Sequence, residues 1–278
     1  MKKQVTLAAH RGWRAKYPEN TMRGFREALK LDIDAIEMDA HMTADYHIVV
    51  CHDATLERTT DKDGTICQMT LAEVREADAG IKFGEEFKGE KIPTMEEFLA
   101  LMAENPNIRL LLELKDYPEV LGDFAYASAE LTLSLCKKYG IFGKDRLTVI
   151  TFSTGICAWL RTRYTKEDFL IHGFYPKAKM KGYESDDPYK YYDEVCLFNN
   201  GEKDPQGFPI TRDSIVADKA RFTEFALMGI KPCVYYRLNT DEEIHRQAYE
   251  NGALGFTSDD PDICGQILDK IGARKLKK

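Results

Sequence analysis

The sequence lacks a hydrophobic run long enough to cross a membrane. A spanning helix needs about 20 consecutive apolar residues, whereas the best run, residues 225–230, is short and contains Gly229. Residues 1–3 carry positive charge like the start of a signal peptide, but residues 4–9 are too few for its apolar segment. These absences predict a cytoplasmic protein with no stable membrane insertion.

The sequence also lacks the cysteine pattern of a disulfide framework or a thiolate zinc site. Its seven cysteines are an odd number, and no two of them form a Cys-x-x-Cys pair. Cysteines without such a pattern usually pack as small buried apolar residues in a reducing compartment. We therefore predict seven free and mostly buried thiols.

An excess of positive charge is absent as well. The chain has 39 Lys and Arg residues against 46 Asp and Glu residues, which gives a formal net charge of −7. Nucleic acids and anionic membranes attract clustered positive charge, so this balance argues against both as partners. The hydrophobic fraction of 44% and the charged fraction of 31% are typical of a folded globular chain.

The length of 278 residues fits either two average domains or one α/β barrel. Short apolar stretches alternate with helix-like stretches along most of the chain, a pattern that favours βα units around a parallel sheet. The predicted strands are residues 5–9, 35–39, 48–51, 109–114, 147–152, 169–174, 195–198, 232–236 and 254–257. The predicted helices are residues 19–31, 94–102, 121–139, 213–228 and 241–249.

Nine predicted strands exceed the eight places of a barrel. Only residues 40–47 separate the second and third strands, which is too few for a helical crossover, so a hairpin partner or a misread segment is expected there. Residues 54–91 and 176–193 interrupt the alternation, but neither has the sustained Gly, Ser and Pro content of a linker. We predict one catalytic domain over residues 1–278, with an inserted subdomain at about 54–91.

Polar side chains close the first four strands, where the active site of an α/β barrel lies. These segments are His10-Arg11-Gly12, Glu37-Met38-Asp39, His52-Asp53 and Glu113-Leu114-Lys115. Residues two apart on a strand project to the same side. Glu37 therefore shares a face with Asp39, and Glu113 shares a face with Lys115. Each residue alone could be a satisfied buried side chain or a simple ion pair. Seven of them at four strand ends favour a functional site, because burying so many charges without function is costly.

The three carboxylates Glu37, Asp39 and Glu113 would repel one another unless a cation lay between them. Oxygen ligands suit a hard divalent ion, so these residues predict one Mg²⁺ or Ca²⁺ site. The two histidines, His10 and His52, titrate near neutral pH and are suited to act as general base and general acid.

The charged residues Arg11 and Lys115 provide positive charge of the kind that stabilises a phosphoryl group in the transition state. The residues themselves leave open which histidine acts as acid and which as base.

Several of these motifs occur in an order that resembles the glycerophosphodiester phosphodiesterase family. The resemblance rests on His10-Arg11-Gly12, Pro18-Glu19-Asn20-Thr21, Phe25, Ile36-Glu37-x-Asp39, Thr43, His52-Asp53, Leu56, Arg58-Thr59-Thr60, Gly64 and Glu113-Leu114-Lys115. The second half matches more loosely, through Thr151-Phe152-Ser153, residues 236–239 and Ser258-Asp259-Asp260-Pro261.

The resemblance implies a TIM barrel with a small insertion after the third strand. It also implies a divalent metal on Glu37, Asp39 and Glu113, and an acid and base pair of His10 and His52. Arg11 and Lys115 are then expected to contact the phosphate. The implied reaction cleaves a glycerophosphodiester to glycerol phosphate and an alcohol, through attack of a substrate glycerol hydroxyl on phosphorus.

The chain departs from the family pattern near a late strand. Where the family typically shows Trp-Thr-Val-Asn, this sequence has Tyr236-Arg237-Leu238-Asn239, and Tyr236 is expected to form a wall of the substrate site. Asp260 stands where a basic residue is common, and it is expected to cap a helix that begins at Pro261.

Two other functions remain open from the sequence. One is the same barrel acting on a lysophospholipid or a cyclic phosphodiester, as lyases of related architecture do. The other is a barrel that binds phosphodiesters without cleaving them. The presence of both acid and base residues and of the metal ligands favours an enzyme over a binding protein, whereas analysis of the product separates the hydrolase from a lyase.

Overall fold

The structure is a closed eight-stranded parallel barrel with one additional strand. It is a computed structural model that describes residues 4–197, 217–236 and 240–274. The strands are β1 (Thr6–Ala9), β2 (Ala35–Met42), β3 (Ile48–Val50), β4 (Arg109–Leu114), β5 (Leu147–Ile150), β6 (Leu170–Tyr175), β7 (Glu194–Leu197), β8 (Lys231–Tyr236) and β9 (Gly255–Ser258). Their order is β1-β9-β8-β7-β6-β5-β4-β2, and β1 pairs with β2 to close the barrel. The predicted TIM barrel is confirmed.

The surplus strand is β3, which forms a hairpin with β2. It runs antiparallel, and His41 lies opposite Val49 in the pairing. A two-stranded hairpin needs no crossover, so the short segment between β2 and β3 is sufficient. The insertion therefore follows the third strand of the chain but only the second strand of the barrel.

Helices lie between the barrel strands. They are α1 (Met22–Ala28), α2 (Leu71–Val74), α3 (Met95–Ala103), α4 (Pro118–Leu121), α5 (Asp123–Lys138), α6 (Thr154–Arg161), α7 (Lys219–Leu227), α8 (Glu242–Asn251) and α9 (Pro261–Lys270). The stretch predicted as one helix over 121–139 is divided at Gly122, whose φ of 56° lies outside the helical region. Residues 213–216 of the helix predicted over 213–228 lie outside the described residues.

Side chains cap the starts of α3 and α9. The Thr94 side chain accepts a hydrogen bond from the Glu97 amide at the start of α3, and the Glu97 carboxylate accepts one from the Thr94 amide. The Asp260 side chain accepts from the Ile263 amide, and Pro261 is the first residue of α9. The expected capping role of Asp260 is confirmed.

The segment of residues 54–91 packs around a small apolar cluster of its own. Its members include Leu56, Ile66 and Val74. The strand β3 contributes to this cluster through Val49, whereas its neighbours Ile48 and Val50 pack into the main core of the barrel. Successive side chains of a strand point to opposite sides, so β3 forms a wall between the two clusters.

The cysteines and the apolar content of the described helices agree with the expectations from composition. All seven cysteines are free, and six of them are buried, as predicted. In the described ranges, no helix combines the length and the apolar character that membrane crossing requires.

Candidate active site

A tight turn after β1 carries the first site residues. Arg11 and Gly12 have φ angles of 55° and 80°, which lie in the left-handed region. A Cβ atom on Gly12 would lie 2.8 Å from the carbonyl carbon of Gly24, so this position has no room for a side chain. The turn brings the Arg11 amide back over β2, where it donates a 2.9 Å hydrogen bond to Glu37.

The His10 side chain is buried and fixed by Asp259 at the end of β9. Its Nδ1 lies 2.6 Å from Asp259 Oδ1, and Asp259 also accepts a hydrogen bond from Tyr235. Burial and the nearby Arg11 lower the pKa of His10 to about 4. His10 is therefore neutral at pH 7, with Nδ1 donating to the carboxylate and Nε2 lying 3.9 Å from Glu37.

The second histidine, His52, follows β3 and is held by a chain of ion pairs. Its Nδ1 lies 2.5 Å from Asp53 Oδ1, and Asp53 in turn accepts hydrogen bonds from Arg58. Behind it, His41 Nε2 lies 3.3 Å from the His52 carbonyl oxygen, while His41 Nδ1 contacts Asp116. His41 thus supports the backbone that carries His52.

The three carboxylates predicted as metal ligands come together on β2 and β4. One oxygen from each of Glu37, Asp39 and Glu113 lies within 4.8 Å of the other two. Asp39 and Glu113 are direct neighbours in the parallel pairing, and Asn20 donates a 2.8 Å hydrogen bond to Asp39. This acidic triad is entirely buried.

The charge balance of the triad fits a divalent cation. Burial and the adjacent Asp39 carboxylate raise the pKa of Glu37 well above its usual range. Burial also disfavours the Asp39 carboxylate, but Lys115 and Arg11 outweigh this effect and hold its pKa low. Glu37 Oε1 has no hydrogen-bond partner among the described residues. Asp39 Oδ1 has no hydrogen-bond partner there either, although Lys115 Nζ lies 3.1 Å from it. Two cations against three carboxylates leave one negative charge, which a bound cation would neutralise.

The side chains of Arg11 and Lys115 meet this triad from opposite sides. Arg11 Nε lies 3.2 Å from Asp39 Oδ2, and Lys115 Nζ lies 2.6 Å from Glu113 Oε1. Both cations are buried at the edge of the cavity, so they bring positive charge to the place where an anion would meet a metal.

A second group with metal-ligand chemistry lies lower in the barrel, formed by His172, Glu194 and Cys233. It fits a cation less well than the triad does. Lys231 Nζ and Arg109 already lie 3.0 and 3.5 Å from Glu194. Two positive charges beside a single carboxylate disfavour a further cation.

Six of the predicted site residues line one cavity of about 390 Å³ at the carboxyl ends of the barrel strands, and Asp39 lies beside them in the acidic triad. The structure brings together His10, Arg11, Glu37, Asp39, His52, Glu113 and Lys115 there. It does not place Tyr236 at this cavity, because the Tyr236 ring packs against His245 and Phe256. Its neighbour Tyr235 lines the cavity instead, since adjacent residues of β8 point to opposite faces.

Residues 10–263 match the model of the Glycerophosphoryl diester phosphodiesterase family. The chain belongs to this family. A glycerophosphodiester phosphodiesterase of Caldanaerobacter subterraneus subsp. tengcongensis is 44% identical over 120 residues, which are 42% of this chain and 49% of that relative. Glycerophosphodiester phosphodiesterase 1 of Bos taurus is 35% identical over 116 residues, 41% of this chain and 35% of its own length. The chain thus spans about half, or less, of the length of these curated relatives.

Solved structures of other proteins show the same fold over nearly the whole chain. A structure from Silicibacter pomeroyi has a TM-score of 0.78 at 22% identity and covers 99% of this chain and 96% of its own. A phosphodiesterase from Oleispira antarctica, solved in complex with the product sn-glycerol-3-phosphate, has a TM-score of 0.75 at 22% identity. It covers 96% of this chain and 97% of its own.

The family motifs contain supporting residues whose roles were not apparent from the sequence. Asp53, Asn20, Glu19 and Asp259 each contact a predicted site residue. Their presence in motifs next to candidate site residues was the available signal, but the motifs alone do not say which side chains meet.

The carboxylate of Glu19 joins three guanidinium groups at the cavity rim. Its oxygens lie 2.7–2.9 Å from Arg11, Arg14 and Arg58. Burial alone would raise the pKa of Glu19. The hydrogen bond from Arg58 and the positive charges of the three arginines have the larger combined effect and lower this pKa to about 2. A depressed folded-state pKa means that the carboxylate stabilises the fold above about pH 4.5 and loses this effect as the pH falls toward 2.

We expect Glu19→Gln to lower the free energy of unfolding at pH 7 by about 2–3 kcal/mol, near the lower end for a broken buried ion pair because Arg58 is partly exposed. Urea unfolding at pH 7 and at low pH measures the effect. The difference from the unmodified protein should shrink as the pH falls. Glu130→Gln, on an exposed face of α5, is the matched control and should show little difference at either pH.

Proposed function

We propose that this protein hydrolyses glycerophosphodiesters to glycerol 3-phosphate and an alcohol. The observation that carries the proposal is the convergence of two histidines, each oriented by a carboxylate, with the acidic triad in one cavity. A nucleophile and a leaving group must both exchange protons during phosphodiester cleavage, and two oriented imidazoles supply this exchange. Family membership and the product complex of the Oleispira antarctica enzyme support the same reaction.

The acidic triad would hold one divalent ion, Mg²⁺ or Ca²⁺. When bound, such an ion polarises phosphoryl oxygens and lowers the pKa of a coordinated hydroxyl group. Arg11 and Lys115 would bind the nonbridging phosphate oxygens and stabilise the charge that builds on them. These two cations also hold the triad carboxylates in place.

The cavity geometry suggests how the histidines divide the work. A second cavity of about 450 Å³ adjoins the first and shares His52 and Lys115 with it. It opens beside Val120, which is 68% exposed, so an alcohol of variable size fits there. We assign proton removal from the attacking glycerol hydroxyl to His10 and proton donation to the leaving alkoxide to His52, a step that releases the alcohol and leaves a cyclic glycerol phosphodiester. In the second step His52 takes a proton from water, the water attacks phosphorus, and His10 returns a proton to the departing glycerol oxygen, which gives glycerol 3-phosphate.

The test is incubation of the purified protein with a panel of glycerophosphodiesters and Mg²⁺ or Ca²⁺, followed by measurement of glycerol 3-phosphate. We expect release from several esters, since the alcohol faces an open cavity. Accumulation of a cyclic phosphate as the final product would identify a lyase instead. Binding of glycerophosphocholine without turnover under every metal would show a binding protein.

A further inference from the structure

A row of neighbouring residues connects the acidic triad to the opposite end of the barrel. Each residue of the row pairs with the next residue on the adjacent strand. Because the strands of a barrel are staggered, such a row runs from the carboxyl ends of the strands toward their amino ends. The row is Asp39, Glu113, Ile150, His172, Glu194 and Lys231. His172, the fourth residue of this row, lines the 390 Å³ cavity and also a smaller cavity of about 210 Å³ at the amino-terminal end of the strands.

The His172 ring is oriented from below. Its Nδ1 lies 3.4 Å from Glu194 Oε2, and Lys231 holds the other oxygen of Glu194 at 3.0 Å. Burial disfavours the Glu194 carboxylate, but Lys231 and His172 keep its pKa well below the usual range. An ionised carboxylate only accepts hydrogen bonds, so Nδ1 carries a proton, and in the neutral ring Nε2 then has the lone pair.

The rest of the cavity floor is largely apolar. Phe152 and Phe174 stack there with ring centroids 3.7 Å apart, and Ile150 and Cys196 complete this part of the lining. Tyr235 donates its hydroxyl proton to Asp259. The described residues give His172 Nε2 no hydrogen-bond partner, so this nitrogen and the Thr257 side chain are the polar groups of a largely apolar floor.

We propose that His172 binds the glycerol hydroxyl that does not attack phosphorus, and that it thereby selects glycerol esters over esters of simpler diols. The inference rests on the proposed function. The cavity floor would bind the glycerol group, which all glycerophosphodiesters share. The open cavity beside His52 would receive the alcohol, which varies from one substrate to another. The hydroxyl donates its proton to Nε2, and the Glu194 and Lys231 pair keeps the ring in that orientation.

The experiment compares two substrates on three proteins. The substrates are sn-glycero-3-phosphocholine and its analogue that has a methyl group in place of the terminal CH₂OH. The proteins are the unmodified enzyme, His172→Gln and His172→Asn. The side-chain amide of glutamine extends about as far as the histidine Nε2, so it can still bind the glycerol hydroxyl. The shorter asparagine amide reaches only the position of Nδ1, so it can contact Glu194 but cannot reach the hydroxyl. Both replacements are polar and smaller than the imidazole ring.

We expect the unmodified enzyme to prefer the glycerol ester by about 5- to 100-fold in kcat/KM, because the analogue leaves a buried acceptor unpaired. His172→Gln should keep most of this preference. His172→Asn should reduce the ratio to about one, with a larger change in KM than in kcat for the glycerol ester. A purely structural role would lower both rates together and leave the ratio intact.

Retention of the full preference by His172→Asn would overturn the inference. Absence of a preference in the unmodified, active enzyme would overturn it as well. Both outcomes differ from failure of the proposed function, in which the unmodified protein releases neither glycerol 3-phosphate from the glycerol ester nor propane-1,2-diol 1-phosphate from the analogue. Thermal unfolding of all three proteins checks that they are folded under the assay conditions.

Discussion

Alanine at His10 or at His52 should lower kcat for glycerophosphocholine by about 10²- to 10⁴-fold, the usual contribution of general acid and base catalysis. Each imidazole is oriented by its own carboxylate, so an alanine side chain leaves nothing in place to carry the proton. The measurement is steady-state release of glycerol 3-phosphate at saturating substrate. Both variants should still bind the divalent ion, because the acidic triad is unchanged.

The matched control is His47→Ala. His47 is exposed in the turn between β2 and β3, outside the cavity, and its loss should leave kcat unchanged. Circular dichroism and thermal unfolding establish that His10→Ala and His52→Ala remain folded. Near-normal turnover in both site variants would remove the histidines from the proposed mechanism.

Removal of the divalent ion should have an effect of similar size. Exhaustive chelation is expected to lower the rate by about 10³-fold, because a Lewis acid contributes several kcal/mol to charge stabilisation. Addition of Mg²⁺ or Ca²⁺ should restore the rate. An ion at 100 times its dissociation constant should also stabilise the fold by about 2.7 kcal/mol, which thermal unfolding detects.

Glu37→Gln separates a specific ion from a general salt effect. It removes the charge of a triad carboxylate whose Oε1 has no hydrogen-bond partner among the described residues, so both the rescue and the thermal shift should be lost. Glu130→Gln, the exposed variant on α5, should respond to the ion as the unmodified protein does. A chelated protein that turns over at the full rate would contradict the assignment of the triad to a metal.

The site residues on barrel strands were predictable from the sequence because two local rules locate them. Strand periodicity places Glu37 and Asp39 on one face, and the barrel rule places strand ends at one mouth. The same periodicity explains the error at Tyr236. A shift of one residue moves a side chain to the other face of a sheet, and the motif comparison was not accurate to one residue on β8.

Contacts between distant parts of the chain were not predictable in this way. Asp259 orients His10 across 249 positions of sequence, and only closure of the barrel by β1 and β9 brings them together. His172 lies outside the motifs that carry the family resemblance, so no sequence pattern marks it as a site residue. Its place on the cavity floor depends on strand stagger, which no local pattern in a single sequence specifies.

The position of β3 between two apolar clusters has a consequence for molecules that are only partly folded. His52 lies two residues after β3 and is held by Asp53, which Arg58 of the insertion contacts in turn, whereas the acidic triad belongs to the barrel. Local opening of a small cluster costs less free energy than global unfolding. Molecules opened in this way would keep the triad assembled and lose the position of His52, the proposed proton donor. A spectroscopic probe of the barrel would report these molecules as folded, and a metal titration would report them as metal-bound. They would not contribute to turnover. The active fraction of a preparation is therefore set by the stability of the insertion rather than by that of the barrel.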